Sequence, residues 1–359
     1  MNGNMQLVSL RNILQEYKEI NTENLYRPVA VGKYGIRKRE DIYSKELAKD
    51  YSKNKIIHEG TLTVGMGSSQ IDIGILSSNE IYSVSPAYKT FNIKNINYDY
   101  LRYYLEHRNK DMSKRYLLAS CRQGKTVDIK RWLDYKVVVY SIETQTKIVD
   151  NIDKINDLIS KQQKALILLD NLVKSRFREM FGDPISQEKN IRLLTISKYC
   201  TLKAGKFVKA SDIYLNKGNE LYPCFGGNGL RGYVRTYTHI GEYPLIGRQG
   251  ALCGNVKYAT GKFHATEHAI VVTPKIEINK RWLYMLLFQL KLNRYATGAA
   301  QPGLAVATLE KIHIQIPTLA LQNEFADFVQ RIDKSKVEIQ KSLDKLEMLK
   351  KSLMQQYFG

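Results

Sequence analysis

The sequence is poor in the residues that build metal centres and disulfide frameworks. Its 359 residues include four cysteines and six histidines, and no two cysteines form a C-x-x-C pair. His264 and His268 lie four residues apart, but the strand-like pattern of Phe263–Val272 would not place them on one helical face. We interpret both as polar or packing residues, and we expect neither a zinc site nor a disulfide framework.

Long apolar runs are also absent from the sequence. No run approaches the roughly 18 apolar residues that a membrane-spanning helix requires. The first residues, MNGNMQLVSLRNILQEY, contain no apolar core of the signal-peptide type. We therefore expect a cytoplasmic protein that has no membrane partner and keeps its thiols reduced.

The sequence lacks the strings that carry catalysis in common enzyme classes. It contains no P-loop, no H-E-x-x-H, no G-x-S-x-G, no Pro-Asp dipeptide and no Asn/Asp-Pro-Pro-Tyr/Phe string. The stretch Gly227–Gly232 fits G-x-G-x-x-G, but aromatic and strand-like residues flank it. That motif indicates a dinucleotide site only between a strand and a helix, so we do not interpret it as one. The sequence predicts no catalytic residue and no metal ligand, and we expect that the chain is not itself an enzyme.

Positive charge is what the sequence has in excess. Its 55 lysines and arginines against 35 aspartates and glutamates give a formal net charge of +20. Such a balance favours a polyanionic partner, and nucleic acid is the commonest one. A generally basic, solvated surface is the alternative.

The sequence contains an internal repeat. Residues 142–182 align without a gap on residues 319–359, a shift of 177 residues. Ten positions in each copy step by alternating four and three residues, and eight of the ten are apolar. Identical pairs recur along the register, among them Gln145/Gln322, Asp150/Asp327, Leu166/Leu343 and Phe181/Phe358.

This spacing is the seam of a coiled coil, and each copy ends at Phe-Gly, where glycine can close a helix. The repeat predicts two long helices that cover each other, whereas two unrelated amphipathic helices are the alternative. The predicted seam and subunit-contact residues are Ile148, Ile152, Ile155, Ile159, Leu166, Leu169, Phe325, Ile332, Ile339, Leu343 and Leu346.

The segments before the two helices correspond as well. Asn97–Leu105 resembles Asn279–Leu287, and an apolar alternating strand leads into each long helix. The plan predicts an α+β fold: two mixed α/β modules, separated by two long antiparallel coiled-coil helices, with approximate two-fold symmetry. The predicted boundaries are 1–141 for the first module, 142–182 for the central helix, 183–318 for the second module and 319–359 for the last helix.

Both modules carry turns whose side chains suit contact with DNA. Arginine, asparagine and glutamine can pair bidentately with guanine or adenine edges, while lysine and arginine also engage phosphates. Ordinary solvated surface turns are the alternative for each of them. The candidate DNA-binding residues are Tyr34, Arg37, Lys38, Arg39, Ser68, Ser69, Asn228, Arg231, Arg248, Gln249 and Gln301.

This plan resembles the specificity subunits of type I restriction-modification enzymes. The stretch Leu172–Pro184 (LVKSRFREMFGDP) is very similar to the end of the family's central conserved helix. The resemblance covers essentially the whole chain, although Val137–Gln145 lacks the prolines that are usual in the family. Shorter strings similar to recurring phrases of its recognition domains are Ser85–Tyr88, Leu245–Gly250, Phe263–Val272 and Ile314–Gln322.

The resemblance implies that the two modules are target-recognition domains, each reading one half of an interrupted double-stranded DNA target. It implies that the paired helices fix the gap between the half-sites and dock two methyltransferase subunits, and that restriction (motor-nuclease) subunits complete the complex. It implies no cofactor on this chain, with S-adenosylmethionine, ATP and Mg on the partner subunits. Two alternatives stay open: a non-catalytic coiled-coil scaffold, and a stand-alone DNA methyltransferase or nuclease whose motifs have drifted.

Overall fold

A computed structural model describes residues 5–45, 48, 50–65, 67, 69–119, 125–185, 194–298 and 302–359. The chain forms two compact units. The first unit comprises Met1–Gln162 together with Ser342–Gly359, and the second comprises Gln163–Lys341.

The first unit is built on a four-stranded antiparallel sheet of order β2-β9-β6-β7, with shorter strand pairs beside it. Its strands are β1 (Gln6–Ser9), β2 (Leu14–Tyr17), β3 (Val29–Gly32), β4 (Gly35–Lys38), β5 (Lys55–Ile57), β6 (Leu62–Val64), β7 (Ile73–Ile75), β8 (Tyr82–Val84), β9 (Lys89–Ile93), β10 (Leu117–Ala119), β11 (Lys125–Val127) and β12 (Lys136–Val139). Its helices are α1 (Leu10–Ile13), α2 (Tyr98–Tyr116), α3 (Ile129–Trp132), the first half of α4 (Ile142–Phe181) and the last part of α8 (Leu319–Phe358), from residue 342 onwards.

The second unit is built on a six-stranded sheet of order β14-β19-β17-β18-β15-β16. The pairs are antiparallel except β15 with β18, which run parallel. The strands are β13 (Leu194–Thr195), β14 (Cys200–Ala204), β15 (Tyr222–Gly226), β16 (Gly229–Val234), β17 (His239–Gly247), β18 (Val256–Ala265), β19 (Ala269–Pro274) and β20 (His313–Ile314). The helices are the second half of α4, α5 (Ile196–Tyr199), α6 (Lys280–Gln289), α7 (Val306–Leu309) and the first half of α8 (Leu319–Phe358).

Each unit buries one main helix against its sheet. In α2 the side chain of Asn97 accepts from the N–H groups of Asp99 and Tyr100, and in α6 Asn279 accepts from Arg281 and Trp282. Asparagine is among the preferred N-cap residues because it satisfies donors that the first helical turn leaves free. The apolar faces that follow enter the cores, where Tyr100, Trp132 and Trp282 are fully buried.

The two long helices are antiparallel where they meet in the second unit. The rings of Phe177 and Phe325 lie 5.4 Å apart. About two turns earlier on α4 and three turns later on α8, Asp170 contacts Lys336, so the two helices run in opposite directions. In the first unit, Ile148 and Ile152 of α4 share one hydrophobic core with the last turn of α8. The predicted α+β class with two long helices is confirmed.

None of the predicted seam residues is fully exposed, although their role as a seam stays a prediction. Ile148, Ile152, Ile155, Phe325 and Leu343 are buried, and the others are half-buried, namely Ile159, Leu166, Leu169, Ile332, Ile339 and Leu346. Towards the end of each helix the buried stripe moves by one position, to Phe177 on α4 and to Met354 and Phe358 on α8. A straight helix drifts by about 20° per heptad relative to a 3.5-residue repeat, which accounts for the shift.

A buried glutamine ties each long helix to the helix packed beside it. Gln145 Oε1 accepts from the backbone N–H of Asn97 at 2.8 Å, and its Nε2 donates to the carbonyl of Tyr140 at 2.7 Å. In the second unit Gln322 accepts from the N–H of Asn279 at 2.9 Å and donates to the carbonyl of Pro317 at 2.9 Å. The two glutamines are equivalent in the repeat, so the same polar clamp occurs twice.

The four predicted domains stay a prediction. The structure instead has two compact units, and each long helix is divided between them. Residues 142–162 and 342–358 belong to the first unit, and residues 163–181 and 319–341 belong to the second.

Candidate nucleic-acid interface

Three turns converge at one end of the sheet in the second unit. They are the β15–β16 turn, the segment that follows β17, and the β18–β19 turn at residues 266–268. The N–H of Thr266 donates to the carbonyl of Phe225 at 2.9 Å, which joins the first turn to the third. The N–H of Arg248 donates to the carbonyl of His268 at 2.9 Å, which joins the second to the third.

Glycine makes this convergence possible. A Cβ atom at Gly247 would lie 2.1 Å from the carbonyl oxygen of Gly227, and one at Gly205 would lie 2.1 Å from the carbonyl oxygen of Ala265. Side chains cannot occupy such positions, so glycine is required for the close backbone approach. The turns therefore hold their remaining side chains on a rigid backbone.

Between the turns lies an open groove of about 410 Å³. Three of the predicted DNA-binding residues line it together: Asn228, Arg231 and Gln249. Arg248, which was predicted with them, is half-buried and lies outside the lining, where its carbonyl accepts from the N–H of Leu304 at 2.8 Å. Gln301 lies outside the described residues.

The groove presents both donors and acceptors. Asn255 Nδ2 donates to Asn228 Oδ1 at 3.1 Å, which orients the Asn228 amide and leaves its two N–H donors available. Arg231 is exposed and brings positive charge to the same rim. This set of groups matches the edges of nucleobases and the phosphates between them.

The G-x-G-x-x-G stretch forms the β15–β16 turn and the start of β16. Gly229 and Gly232 there have φ angles of +100° and +154°. A Cβ atom at Gly232 would lie 2.5 Å from the carbonyl oxygen of Tyr214. The glycines thus serve a β-hairpin rather than the strand-to-helix turn that a dinucleotide site uses.

The first unit presents a cationic hairpin, β3–β4. Tyr34 stands at its tip with 69% of its surface exposed. Lys33 Nζ and the Arg37 guanidinium lie 5.5 and 5.2 Å from the centre of the Tyr34 ring. Lys38 and Arg39 lie 5.8 and 5.7 Å from the rings of Tyr82 and Tyr51.

Stacking of cations on tyrosine rings fixes long side chains that would otherwise be mobile. The predicted residues Tyr34 and Arg37 contact each other at the hairpin. Lys38 and Arg39 line a groove with Tyr51 and Tyr82, and neither Tyr34 nor Arg37 is part of that lining. Ser69 is exposed in the turn before β7, whereas Ser68 lies outside the described residues.

Sequence reasoning missed several residues at both surfaces. His268 and Leu252 line the groove of the second unit, and Glu267 lies beside His268. Tyr51 and Tyr82 support the cations of the first unit. No local pattern marks these residues, because they come from turns and strands distant in the sequence.

Two negative observations apply to the part of the chain that the structure describes. It contains no group of three or more histidine, cysteine, aspartate or glutamate side chains that could hold a metal ion. None of its helices is both long and apolar enough to cross a membrane.

Comparison with known proteins finds similar proteins of one class. The family described as "Type I restriction modification DNA specificity domain" matches residues 192–350. The type I restriction enzyme EcoprrI specificity subunit of Escherichia coli is 36% identical over 197 residues, which are 54% of this chain and 49% of that protein. A putative type I restriction enzyme specificity subunit of Haemophilus influenzae is 36% identical over 105 residues, 28% of this chain and 27% of that protein. The chain thus spans about half the length, or less, of these two relatives.

Solved structures agree on the fold across the whole chain. The S subunit of a type I restriction-modification system from M. genitalium superposes with a TM-score of 0.63 at 15% identity, covering 100% of this chain and 97% of that one. A chain from a structural study of complex assembly and conformational transition of the type I R-M system gives a TM-score of 0.60 at 14% identity, covering 100% and 98%. The type I DNA specificity domain family is matched over residues 192–350 only, within the second half of the chain. The resemblance of the chain to type I restriction-modification specificity subunits is confirmed.

Proposed function

We propose that the chain is the DNA-reading subunit of a type I restriction-modification complex and recognises a target in two parts. Each unit reads one half-site in double-stranded DNA, and the pair of long helices sets the spacing between the half-sites. The chain itself performs no catalysis. Partner subunits methylate or cut the DNA, and we expect S-adenosylmethionine, ATP and Mg to be bound there.

One observation carries this proposal: the groove of the second unit, where three glycine-bounded turns display Asn228, Arg231 and Gln249. Asparagine and glutamine pair with adenine, and arginine pairs with guanine, through two hydrogen bonds each. The net charge of +20 supplies the attraction to phosphate that such base contacts need. The cationic hairpin of the first unit supports a separate contact there.

The test is to map adenine methylation in cells that express the chain with a type I methyltransferase subunit. We expect a new interrupted motif that is absent when the methyltransferase is expressed alone. Arg231→Ala or Gln249→Ala should alter only one half of that motif, and Arg37→Ala only the other half. The exposed cation Lys311, which lies outside the groove, provides the control Lys311→Ala, for which the motif should not change.

The result also separates the alternatives. An active, bound methyltransferase that gains no new motif would favour the scaffold, in which the helices join proteins without reading DNA. Methylation by the purified chain without any partner would favour the stand-alone enzyme. DNA affinity that falls steeply with rising salt would agree with the proposal, because each phosphate contact releases counterions.

Exposed apolar side chains on the long helices support docking of protein subunits. Ile167 and Leu168 on α4 are 60% and 66% exposed, and Met348 on α8 is 72% exposed. We expect Leu168→Asp to weaken co-purification with the methyltransferase subunit while DNA binding is retained. The control Ile276→Asp changes an equally apolar exposed residue before α6 and should leave co-purification intact.

A further inference from the structure

The β18–β19 turn beside the groove is held in place by several backbone hydrogen bonds. The N–H of Ala269 donates to the carbonyl of Thr266 at 2.9 Å and closes the turn around Glu267 and His268. The carbonyls of Ala265 and Ala269 accept from the backbone at residues 206 and 205, at 2.8 and 3.0 Å. With the bonds to Phe225 and Arg248, the turn is tied to three other segments, so the side chains at 267 and 268 start from a fixed backbone.

Glu267 determines how the ring of His268 presents itself. His268 Nε2 lies 3.1 Å from Glu267 Oε1, and the two side chains are 41% and 30% exposed. An ionised carboxylate can only accept, so in the neutral imidazole the N–H is at Nε2 and Nδ1 keeps a lone pair. In this tautomer Nδ1 is the free acceptor of His268, a residue that lines the groove together with Arg231.

Two buried polar atoms lie in the same turn as this pair. Within the described residues, Thr266 Oγ1 and the second carboxylate oxygen of Glu267 are buried without a hydrogen-bond partner. Thr266 Oγ1 lies 3.8 Å from the position that a Cβ atom would take at Gly226, which lines the groove. Unpartnered buried polar atoms are costly, so their presence beside the groove calls for an explanation such as a functional role of this turn.

We propose that His268, oriented by Glu267, is a specificity-determining residue of the second unit that accepts a hydrogen bond from the exocyclic amino group of adenine or cytosine. In the major groove only these two bases carry an amino donor, whereas guanine and thymine present oxygen acceptors. In the proposed function Arg231 pairs with guanine, and Asn228 and Gln249 pair with adenine. His268 then distinguishes between bases at one further position of the half-site. This inference rests on the proposed reading of DNA by the second unit.

The experiment is a selection from DNA whose half-site for the second unit is randomised, using the full chain assembled with its methyltransferase subunit. In the unaltered protein we expect one position to prefer adenine or cytosine about tenfold over guanine or thymine. His268→Phe keeps a ring of similar size and removes the acceptor, so the preference at that position should fall below about twofold, with the other positions unchanged.

Glu267→Gln is the second variant, and it replaces one carboxylate oxygen with an amide nitrogen. A glutamine amide can donate as well as accept, so it tolerates either tautomer of His268. We therefore expect the same position to relax while overall affinity for DNA changes little. If His268 only supported the fold, both variants would lower the affinity for all sequences alike and leave the base preference as it was.

Control variants are Glu277→Gln and His313→Phe, which alter an exposed carboxylate and an exposed imidazole outside the groove. An unchanged base preference in a folded His268→Phe protein would overturn the inference. If that variant does not fold, as judged from Trp282 fluorescence, an unchanged preference in Glu267→Gln decides against it equally. Absence of any sequence preference in the unaltered protein would instead refute the proposed function.

Discussion

The two units share one arrangement but have different sheets. The shared arrangement, called the frame below, is a main helix (α2 or α6) packed against a long helix (α4 or α8). In both, an asparagine caps the main helix, and a buried glutamine at the start of a long helix binds that asparagine's backbone N–H. The sheets have little in common, because the first has four strands of three to five residues, and the second has six strands that include β17 and β18, of nine and ten residues.

This contrast shows which part of each unit is constrained. In each unit the main helix packs against one of the two repeated long helices. The same hydrogen bonds and buried positions therefore occur in both units. The sheets and turns meet no repeated partner inside the chain, so they are free to differ. The surfaces that result are chemically distinct: cations stacked on tyrosines in the first unit, and amides and an arginine among glycines in the second.

The largest effect should come from the cores at which the frame meets the long helices. Phe325 and Ile148 are equivalent in the repeat and are both buried, Phe325 against the ring of Phe177. We expect Phe325→Ala to lower the free energy of unfolding of the second unit by about 3–5 kcal/mol, and Ile148→Ala that of the first by about 2–5 kcal/mol.

The two tryptophans allow each unit to be followed separately, because Trp132 lies in the first and Trp282 in the second. Denaturant unfolding would be recorded with a Trp132→Phe or a Trp282→Phe background. Ile142→Ala, at an exposed position of α4, is the control and should cost less than about 1 kcal/mol. Equal losses at both tryptophans from either core variant would contradict the division into two units.

Removing either glutamine side chain should cost less stability than removing a core side chain, and the loss should be equal in the two units. Gln145→Ala and Gln322→Ala each leave one backbone N–H and one carbonyl without a partner in a buried site. An unsatisfied buried group costs about 1–3 kcal/mol, so we expect a loss on the order of 2–4 kcal/mol for each variant. The same unfolding measurement applies, with exposed Gln163→Ala as the control. A loss in one unit only would mean that the duplicated geometry is not energetically equivalent.

The sequence predicted the frame well because periodicity is a local property. The register of the repeat placed the long helices at Ile142–Phe181 and Leu319–Phe358, within a residue of the predicted bounds. The identity of Gln145 and Gln322 was visible, but their hydrogen-bond partners were not, since Asn97 and Asn279 lie more than forty residues away. If the four-and-three steps are continued along α4 they reach position 176, whereas the structure buries Phe177, because the drift of a straight helix accumulates towards its end.

The candidate site was less accessible to sequence reasoning. The residue types of Asn228, Arg231 and Gln249 suggested contact with bases, but only the close approach of glycine backbones brings them to one groove. His268 was interpreted as a polar or packing residue because its spacing from His264 in a strand-like segment does not suit a metal site, and no sequence pattern links it to the two other turns of the groove. The roles of all these side chains in DNA binding stay predictions.

The smallest expected effect concerns a carboxyl group of the first unit. Asp72 is half-buried just before β7, and burial raises the pKa of its carboxyl to about 6. The folded unit therefore favours the protonated form relative to the unfolded chain, where the ordinary pKa is about 3.9. Stability from this group is fully present below about pH 4 and is lost as the pH rises through about 6.

Asp72→Asn removes that loss by replacing the acid with a neutral amide of the same shape. At pH 8 we expect the variant to stabilise the first unit by about 1–2 kcal/mol, allowing for solvent screening of a half-buried group, and at pH 4 the gain should vanish. The measurement is unfolding at both pH values, followed by Trp132 in the Trp282→Phe background, with Trp282 in the Trp132→Phe background as the reference for the second unit. Asp41→Asn, at an exposed position of the same unit, is the control. An equal gain at pH 4 and pH 8 would show that the substitution acts through packing. An effect of the Asp72 charge must change between these two pH values.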